Sequence, residues 1–231
     1  MRKSKKRLLV IDALAIAFIA AQIVLFPLIQ FTPGDVSSIC SYISIVLAAL
    51  FALCSASKEK IKYFIRLGLC FTLVADYFLV LNDKLLEGVV AFIFVQAAYC
   101  AYLFAREEHI PIRRANLISR AILSAVLVVA AFVVLGDDTD ALAITSVIYY
   151  GNLAVNTVFA FLLGKRDRVF AIGLALFCMC DLCIGLEVLF SSYLNSDALD
   201  FFYGAYLSLP WIFYQPSQTL ISLSLYHSKT E

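Results

Sequence analysis

The chain reads as an all-α polytopic membrane bundle of eight transmembrane helices, with its N- and C-termini cytoplasmic. Three observations predict this. The composition is 63% hydrophobic and the mean hydropathy is +0.92, whereas a soluble domain is nearer 45–50% apolar on the average of about half. Apolar runs follow one another at about 8–29, 36–57, 63–81, 85–104, 116–135, 141–163, 169–190 and 203–226. Each crosses a hydrocarbon core of about 30 Å at about 1.5 Å per residue, and at that length only helices satisfy their own backbone in lipid. Third, Lys and Arg alternate sides. Seventeen of the eighteen fall in the N-terminal tail, the second, fourth and sixth connections or the C-terminus, and only Lys84 falls opposite. That bias sets orientation, and one span more or fewer would scramble it.

The elements follow in order. Arg2, Lys3, Lys5, Lys6 and Arg7 precede the first run, which leads into Pro27, Pro33 and Gly34. The run is too long for a signal peptide and is read as a retained span. Lys58, Lys60, Lys62 and Arg66 flank the second connection; Arg106, Arg113, Arg114 and Arg120 flank the fourth; Lys165, Arg166 and Arg168 fill the sixth. The opposite connections carry Asp35, then Asp137, Asp138 and Asp140, then Asp197 and Asp200. The longest of these, Ser191–Phe202, is a dozen residues, so residues 1–231 are one integral membrane domain of the cell membrane. Spans three and four carry a weak likeness to seven and eight, a 4+4 helix parallel repeat. Asp76 and Asp181 are offset by 105, with Gly68 matching Gly173 and Leu69 matching Leu174, while Ile93–Gln96 resembles Ile212–Gln215 at an offset of 119.

Two acids organise the functional reading. Asp76 lies in LGLCFTLVADYFLVL and Asp181 in AIGLALFCMCDLCIGL. An ionisable group at the bilayer centre costs about 2.5–3.5 kcal/mol on insertion scales, so it persists by facing a polar interior or a partner. Asp76 is about 15 Å past Arg66 and Asp181 about 18 Å past Val169 by helical rise, and both helices run outward, so the acids share a level. Gln96, Asn152, Asn156 (with Tyr149 three residues before Asn152), Trp211, Tyr214, Gln215 and Gln218 reach similar depth. Gly68, Thr72 and Asp76 form one stripe and Gly173, Phe177, Asp181 and Gly185 another, with small residues that permit close helix packing.

The remaining features exclude other classes. All seven cysteines lie in apolar runs; Cys180-x-x-Cys183 has ligand spacing but no histidine near it, and His109 and His227 lie in polar ends. No metal or other cofactor is expected. Basic residues are split among short loops without interleaved aromatics, which argues against nucleic acid.

Three patches resemble the YhhN family of multi-span membrane proteins, which includes the animal lysoplasmalogenases. The first is Gly68-Leu-x-Phe71-x-x-x-Ala75-Asp76-x-x-Leu79, followed by Gly88-x-x-Ala91-Phe92 and Gln96-x-x-Tyr99. The second is Gly173-x-x-x-Phe177-x-x-Cys180-Asp181, and the third Trp211-x-x-Tyr214-x-x-x-Gln218-x-Leu220-Ile221. The chain departs from the family's usual Gly at Ala75, its Ser at Cys180 and its frequent His at Gln96; Gln cannot titrate, so no proton shuttle is expected there.

The resemblance implies a membrane hydrolase that cleaves the vinyl-ether bond of a lysophospholipid-like amphiphile taken from the bilayer. Asp76 and Asp181 would be the catalytic acid/base pair, and Gln96, Tyr99, Asn152, Asn156, Trp211, Tyr214 and Gln218 would bind substrate. The chemistry suits the residues: a vinyl ether opens through an oxocarbenium ion, which one carboxylic acid and one carboxylate can form and stabilise, as in glycoside hydrolysis. Two other readings use the same acids. In a proton- or cation-coupled transporter or lipid-binding protein they would carry the ion. In an assembly protein they would be neutral helix-to-helix glue.

Overall fold

The computed structural model describes residues 2–55, 59–193 and 209–226. Among them there is no strand. The helices are α1 (Arg2–Phe31), α2 (Asp35–Cys54), α3 (Tyr63–Leu81), α4 (Leu85–Arg106), α5 (Ile110–Leu135), α6 (Ala141–Leu162), α7 (Arg168–Tyr193) and α8 (Leu209–Leu223). The first seven include stretches long and apolar enough to cross a membrane. The connection predicted at Ser191–Phe202 lies, beyond Tyr193, outside the described residues, as does the start of the eighth run at 203–208.

Local chemistry fixes the helix ends. Asp140 caps α6 by accepting a hydrogen bond from the Ala143 N–H at 2.7 Å, and so occupies one of the first-turn donors that have no intrahelical partner. Gly136 ends α5 at φ +56°, a left-handed conformation that glycine adopts without a steric penalty.

One boundary differs from expectation. The fifth run was expected to begin at 116, with Arg113 and Arg114 before it and Arg120 in its first turn, all flanking the fourth connection. Instead α5 starts at Ile110 with a proline in its first turn, where the missing N–H costs nothing and the fixed φ suits a helix. Arg113 folds back so that its Nε donates to the Glu107 carbonyl at 2.6 Å. Arg120 therefore lies ten residues, about 15 Å, along α5 rather than in its first turn.

Helix packing leaves α5 at the edge. α3 packs against α2, α4 and α8; α6 packs against α4, α5 and α7; α7 pairs with α8, and α1 lies on α2 and α8. The core runs through Ile65, Leu69, Val95, Leu153, Leu174 and Ile221. By contrast Ile118, Ile122, Val126, Val129 and Val133 of α5 are all exposed, which suits contact with lipid. Close approach is set by glycine at two crossings. A Cβ on Gly68 would stand 2.2 Å from the Tyr99 ring of α4, and one on Gly173 would stand 3.2 Å from the Ser217 carbonyl of α8.

Polar contacts tie the bundle at one end. Arg66 donates to the carbonyls of Ala52 (3.0 Å) and Ser55 (2.6 Å). Arg106 pairs with Glu59 at 3.1 Å and with Asp167 at 3.0 Å, and the Tyr102 hydroxyl donates to Asp167 at 2.5 Å. The α2–α3 and α6–α7 connections thus meet at the end of α4, so α3 and α7 start at the same end. Deeper in, Gln22 of α1 exchanges hydrogen bonds with Ser44 of α2 and accepts one from Gln215 of α8 at 2.8 Å.

Candidate active site

Asp76 and Asp181 each stand thirteen residues past the first residue of their helices, Tyr63 and Arg168. That is about 20 Å of helical rise, and because the helices start at one end, the two acids share a depth. Each carboxyl is held by a phenol from another helix. The Tyr214 hydroxyl of α8 donates to Asp76 Oδ2 at 2.6 Å, and the Tyr149 hydroxyl of α6 donates to Asp181 Oδ2. Asp76 is 2% exposed; Asp181 is partly exposed.

An aromatic cluster joins the two pairs. Phe92 of α4 sits 5.4 Å from Tyr149, 5.5 Å from Phe177 and 6.5 Å from Tyr214, ring centre to ring centre. Phe177 lies 5.3 Å from Tyr214, one turn before Asp181 on α7. Trp211 stands edge-on to Tyr214 at 5.2 Å. The acids are therefore set around an apolar, aromatic centre whose hydroxyls already point at the carboxylates. Such rings shape a slot for a planar group, and their faces stabilise positive charge.

Several buried polar atoms near this centre have no protein partner among the described residues: both amide atoms of Gln218 and Nε2 of Gln96. Gln218 is one turn from Tyr214 on α8. Gln96 is one turn from Phe92 on α4. Tyr99 is packed against Gly68 and, edge-on, against Phe170 at 5.3 Å. An unmade hydrogen bond in a buried site is costly, so these atoms are set to receive water or a polar ligand.

The expected residues divide into two groups. Asp76, Asp181, Tyr214 and Trp211 come together at the aromatic centre, with Gln218 one turn away. Asn152 and Asn156 instead turn to Arg120, whose Nη1 donates to Asn152 Oδ1 at 2.8 Å and whose Nη2 donates to Asn156 Oδ1 at 2.5 Å. Asn156 also donates to Gln96 Oε1 at 2.8 Å, so Gln96 links the two groups. Of the expected small-residue stripe on α7, Gly173, Phe177 and Asp181 face the bundle, while Gly185 is exposed with open space around it.

The residue reading did not assign Tyr149, Phe92, Phe177 or Arg120 to the site. Tyr149 carried a usable signal, since it shares the α6 face of Asn152 and Asn156. Arg120 carried one too: Asn116 lies four residues before it, one turn along the same helix, and its Oδ1 accepts from Arg120 Nε at 2.7 Å. The phenylalanines are indistinguishable in sequence from other core positions. Among the described residues no group of His, Cys, Asp or Glu is placed to hold a metal ion.

No curated protein and no solved structure matches the chain. Residues 36–225, which include both aspartates and every helix from α2 to α8, match the YhhN family, and the chain belongs to that family.

Proposed function

We propose that this protein is a membrane hydrolase of the lysoplasmalogenase type, which opens the vinyl-ether bond of a lysolipid by paired-aspartate acid/base catalysis. The observation that carries the reading is the placement of two carboxyl groups at one depth. Each is fixed by a tyrosine from a neighbouring helix, and they are joined by aromatic rings. Family membership supports the reading.

The reaction proceeds in three steps. A protonated aspartate delivers its proton to the β-carbon of the vinyl ether, and the electron pair of the double bond forms the new C–H bond. The resulting oxocarbenium ion is stabilised by the second aspartate, as a carboxylate, and by the faces of Phe92 and Phe177. That carboxylate then takes a proton from water as the water oxygen adds to the cationic carbon. The hemiacetal collapses to a fatty aldehyde and a glycerophospho-alcohol. General acid–base assistance of this kind supplies about 10²–10⁴-fold. Tyr214 and Tyr149 hold the carboxyls in place, and Gln218 orients water.

The basic connections face the cytoplasm in this reading, and the host is the cell membrane. A transporter using the same acids finds less support, because α3 and α7 run unbroken past Asp76 and Asp181. Transport sites at this depth usually sit where a helix is interrupted.

Purified protein given a 1-alkenyl lysophospholipid should release fatty aldehyde, read through a coupled aldehyde dehydrogenase. Release no faster from the wild type than from the Asp76→Asn, Asp181→Asn double variant would refute the proposal.

A further inference from the structure

Arg120 is a cation inside a membrane helix with no acidic partner among the described residues. Its Nε donates to Asn116, Nη1 to Asn152 and Nη2 to Asn156. All these acceptors are neutral amide oxygens, and among the described residues no carboxylate lies within ion-pair distance of it. The guanidinium keeps its charge in proteins and carries five N–H donors. One of the two on Nη2 has no acceptor among the described residues. A partly buried charge held by neutral groups is expensive unless something anionic completes it. Three asparagines fix the plane of this fork, leave its charge uncancelled and leave one N–H free to reach an anion such as a phosphate.

A small cleft lies beside it. α4 and α5 both pack on α6 and leave this cleft between them at the end where the basic connections meet. It is lined by Leu103 and Phe104 of α4, Glu107, Ile112, Arg113 and Asn116, and Phe159 and Leu163 at the end of α6. Asn116 lines the cleft and also holds Arg120, one turn further in. The lining is mostly apolar; the Glu107 carboxylate and the Arg113 guanidinium stand together in it, so the uncancelled cation of this region is Arg120.

Position along α6 ties this cluster to the aromatic centre. Asn152 and Asn156 lie about 5 and 10 Å beyond Tyr149, toward the basic end, by helical rise. In a glycerophospholipid a three-carbon backbone separates the phosphate from the first-chain oxygen, an offset of that size. A phosphate at Arg120 therefore leaves the first-chain oxygen beside the Tyr149–Asp181 pair, with the chain running on past it, away from the basic end.

We propose that Arg120, presented by Asn116, Asn152 and Asn156 one turn beyond the α4–α5 cleft, binds the phosphate of a single-chain phospholipid. As a substrate contact it rests on the hydrolase reading above; as a binding site it does not.

The test uses the full-length protein in detergent and equilibrium binding of radiolabelled 1-acyl lysophosphatidylethanolamine, which has no vinyl ether. Competitors are the chain-matched monoacylglycerol and glycerol phosphate. The wild type is expected to prefer the lysophospholipid over the monoacylglycerol by at least about tenfold, the discrimination of one well-placed charged contact. Arg120→Gln should abolish that preference without weakening the monoacylglycerol, and Arg120→Lys should keep part of it. Glycerol phosphate should compete poorly; competition equal to the lysolipid would overturn the lipid assignment in favour of a soluble phosphate. Equal wild-type affinity for the two lipids, or an intact preference in Arg120→Gln, overturns the site. Should Arg120→Gln not fold, Asn116→Ala, which frees the guanidinium, must reduce the preference at least threefold, and no reduction refutes the proposal. Aldehyde release is not part of this readout, so a failed hydrolysis assay and a failed binding assay are separate results.

Discussion

Asp76 and Asp181 occupy equivalent steps on α3 and α7, yet their surroundings differ. Asp76 is closed in by helices on several sides: α3 packs against α2, α4 and α8, and the carboxyl is 2% exposed. Asp181 lies on a helix packed on α6 and α8, with Leu182, Ile184 and Gly185 exposed beside it, and is itself partly exposed. Among the described residues each acid has one hydrogen-bond donor, a tyrosine. The difference teaches that, among the described residues, the site has an enclosed side at Asp76 and a more open one at Asp181. Under the proposed function, a lipid substrate is expected to meet Asp181 before Asp76.

The largest effect should come from the acids themselves. Asp76→Asn and Asp181→Asn should each lower aldehyde release by about 100-fold or more, the scale of a lost general acid or base. Asparagine still offers an oxygen to the tyrosine, so both variants should elute as folded protein on size exclusion. If Asp181→Asn kept more than a tenth of the rate while Asp76→Asn was inactive, the open wall would be an entrance rather than half of a catalytic pair.

The next effect concerns the crossings that bring each acid to its place. Gly68→Ala would push a methyl into the fully buried Tyr99 ring at 2.2 Å, and Gly173→Ala would press on Ile221, at 2.7 Å from its Cγ1, and on the α8 backbone. Overpacking of this kind costs about 1–3 kcal/mol. Both variants should lose several degrees in thermal unfolding in detergent. Gly68→Ala should lose the more, because its clash is the closer and the ring has no room to turn. Equal stability with wild type would mean that the α3–α4 crossing is looser than these distances allow.

Much of this was legible before any coordinates. Eight apolar runs and two acids in the middle of two of them follow from the cost of charge in lipid, which is a strong constraint on sequence. The pairing of Tyr214 with Asp76 was less so: 138 residues separate them, and nothing local to either fixes which helix faces which. Arg120 was read as a cation flanking the fourth connection, near the start of the fifth span, because basic residues ordinarily mark span ends. The proline that starts α5 early, and the asparagines four residues back and on α6, turned that position inward. Phe92 and Phe177 stood in the family-like patches, and Phe177 in the Asp181 stripe, but neither was assigned to the site, since an aromatic at a core position looks the same whether it fills space or walls a site.

A smaller difference should separate the two tyrosines. Removing a hydrogen bond to a carboxyl group costs about 1.5–3 kcal/mol when nothing replaces it. Tyr214→Phe leaves the enclosed Asp76 without its donor and should show most of that cost in unfolding. Tyr149→Phe leaves Asp181, which water or a ligand can still reach, and should show less. Parity between the two in paired thermal melts would erase the distinction between sealed and open walls.

The smallest effect tests where the open wall begins. Gly173 and Gly185 lie three turns apart on α7 and sit in the same sequence stripe as Asp181, but among the described residues only Gly173 touches α8. Among those residues a Cβ on Gly185 would meet nothing within 4 Å, and the residue is helical. Gly185→Ala therefore has no packing to lose and gains helix propensity, up to about 1 kcal/mol in an exposed helix. Its unfolding temperature should be equal to wild type or slightly higher, against the clear loss expected for Gly173→Ala. A loss at Gly185 as large as at Gly173 would mean that the face beside Asp181 is covered, by a second copy of the chain or another partner. The aspartate's open side would then be an interface instead of the door to the bilayer.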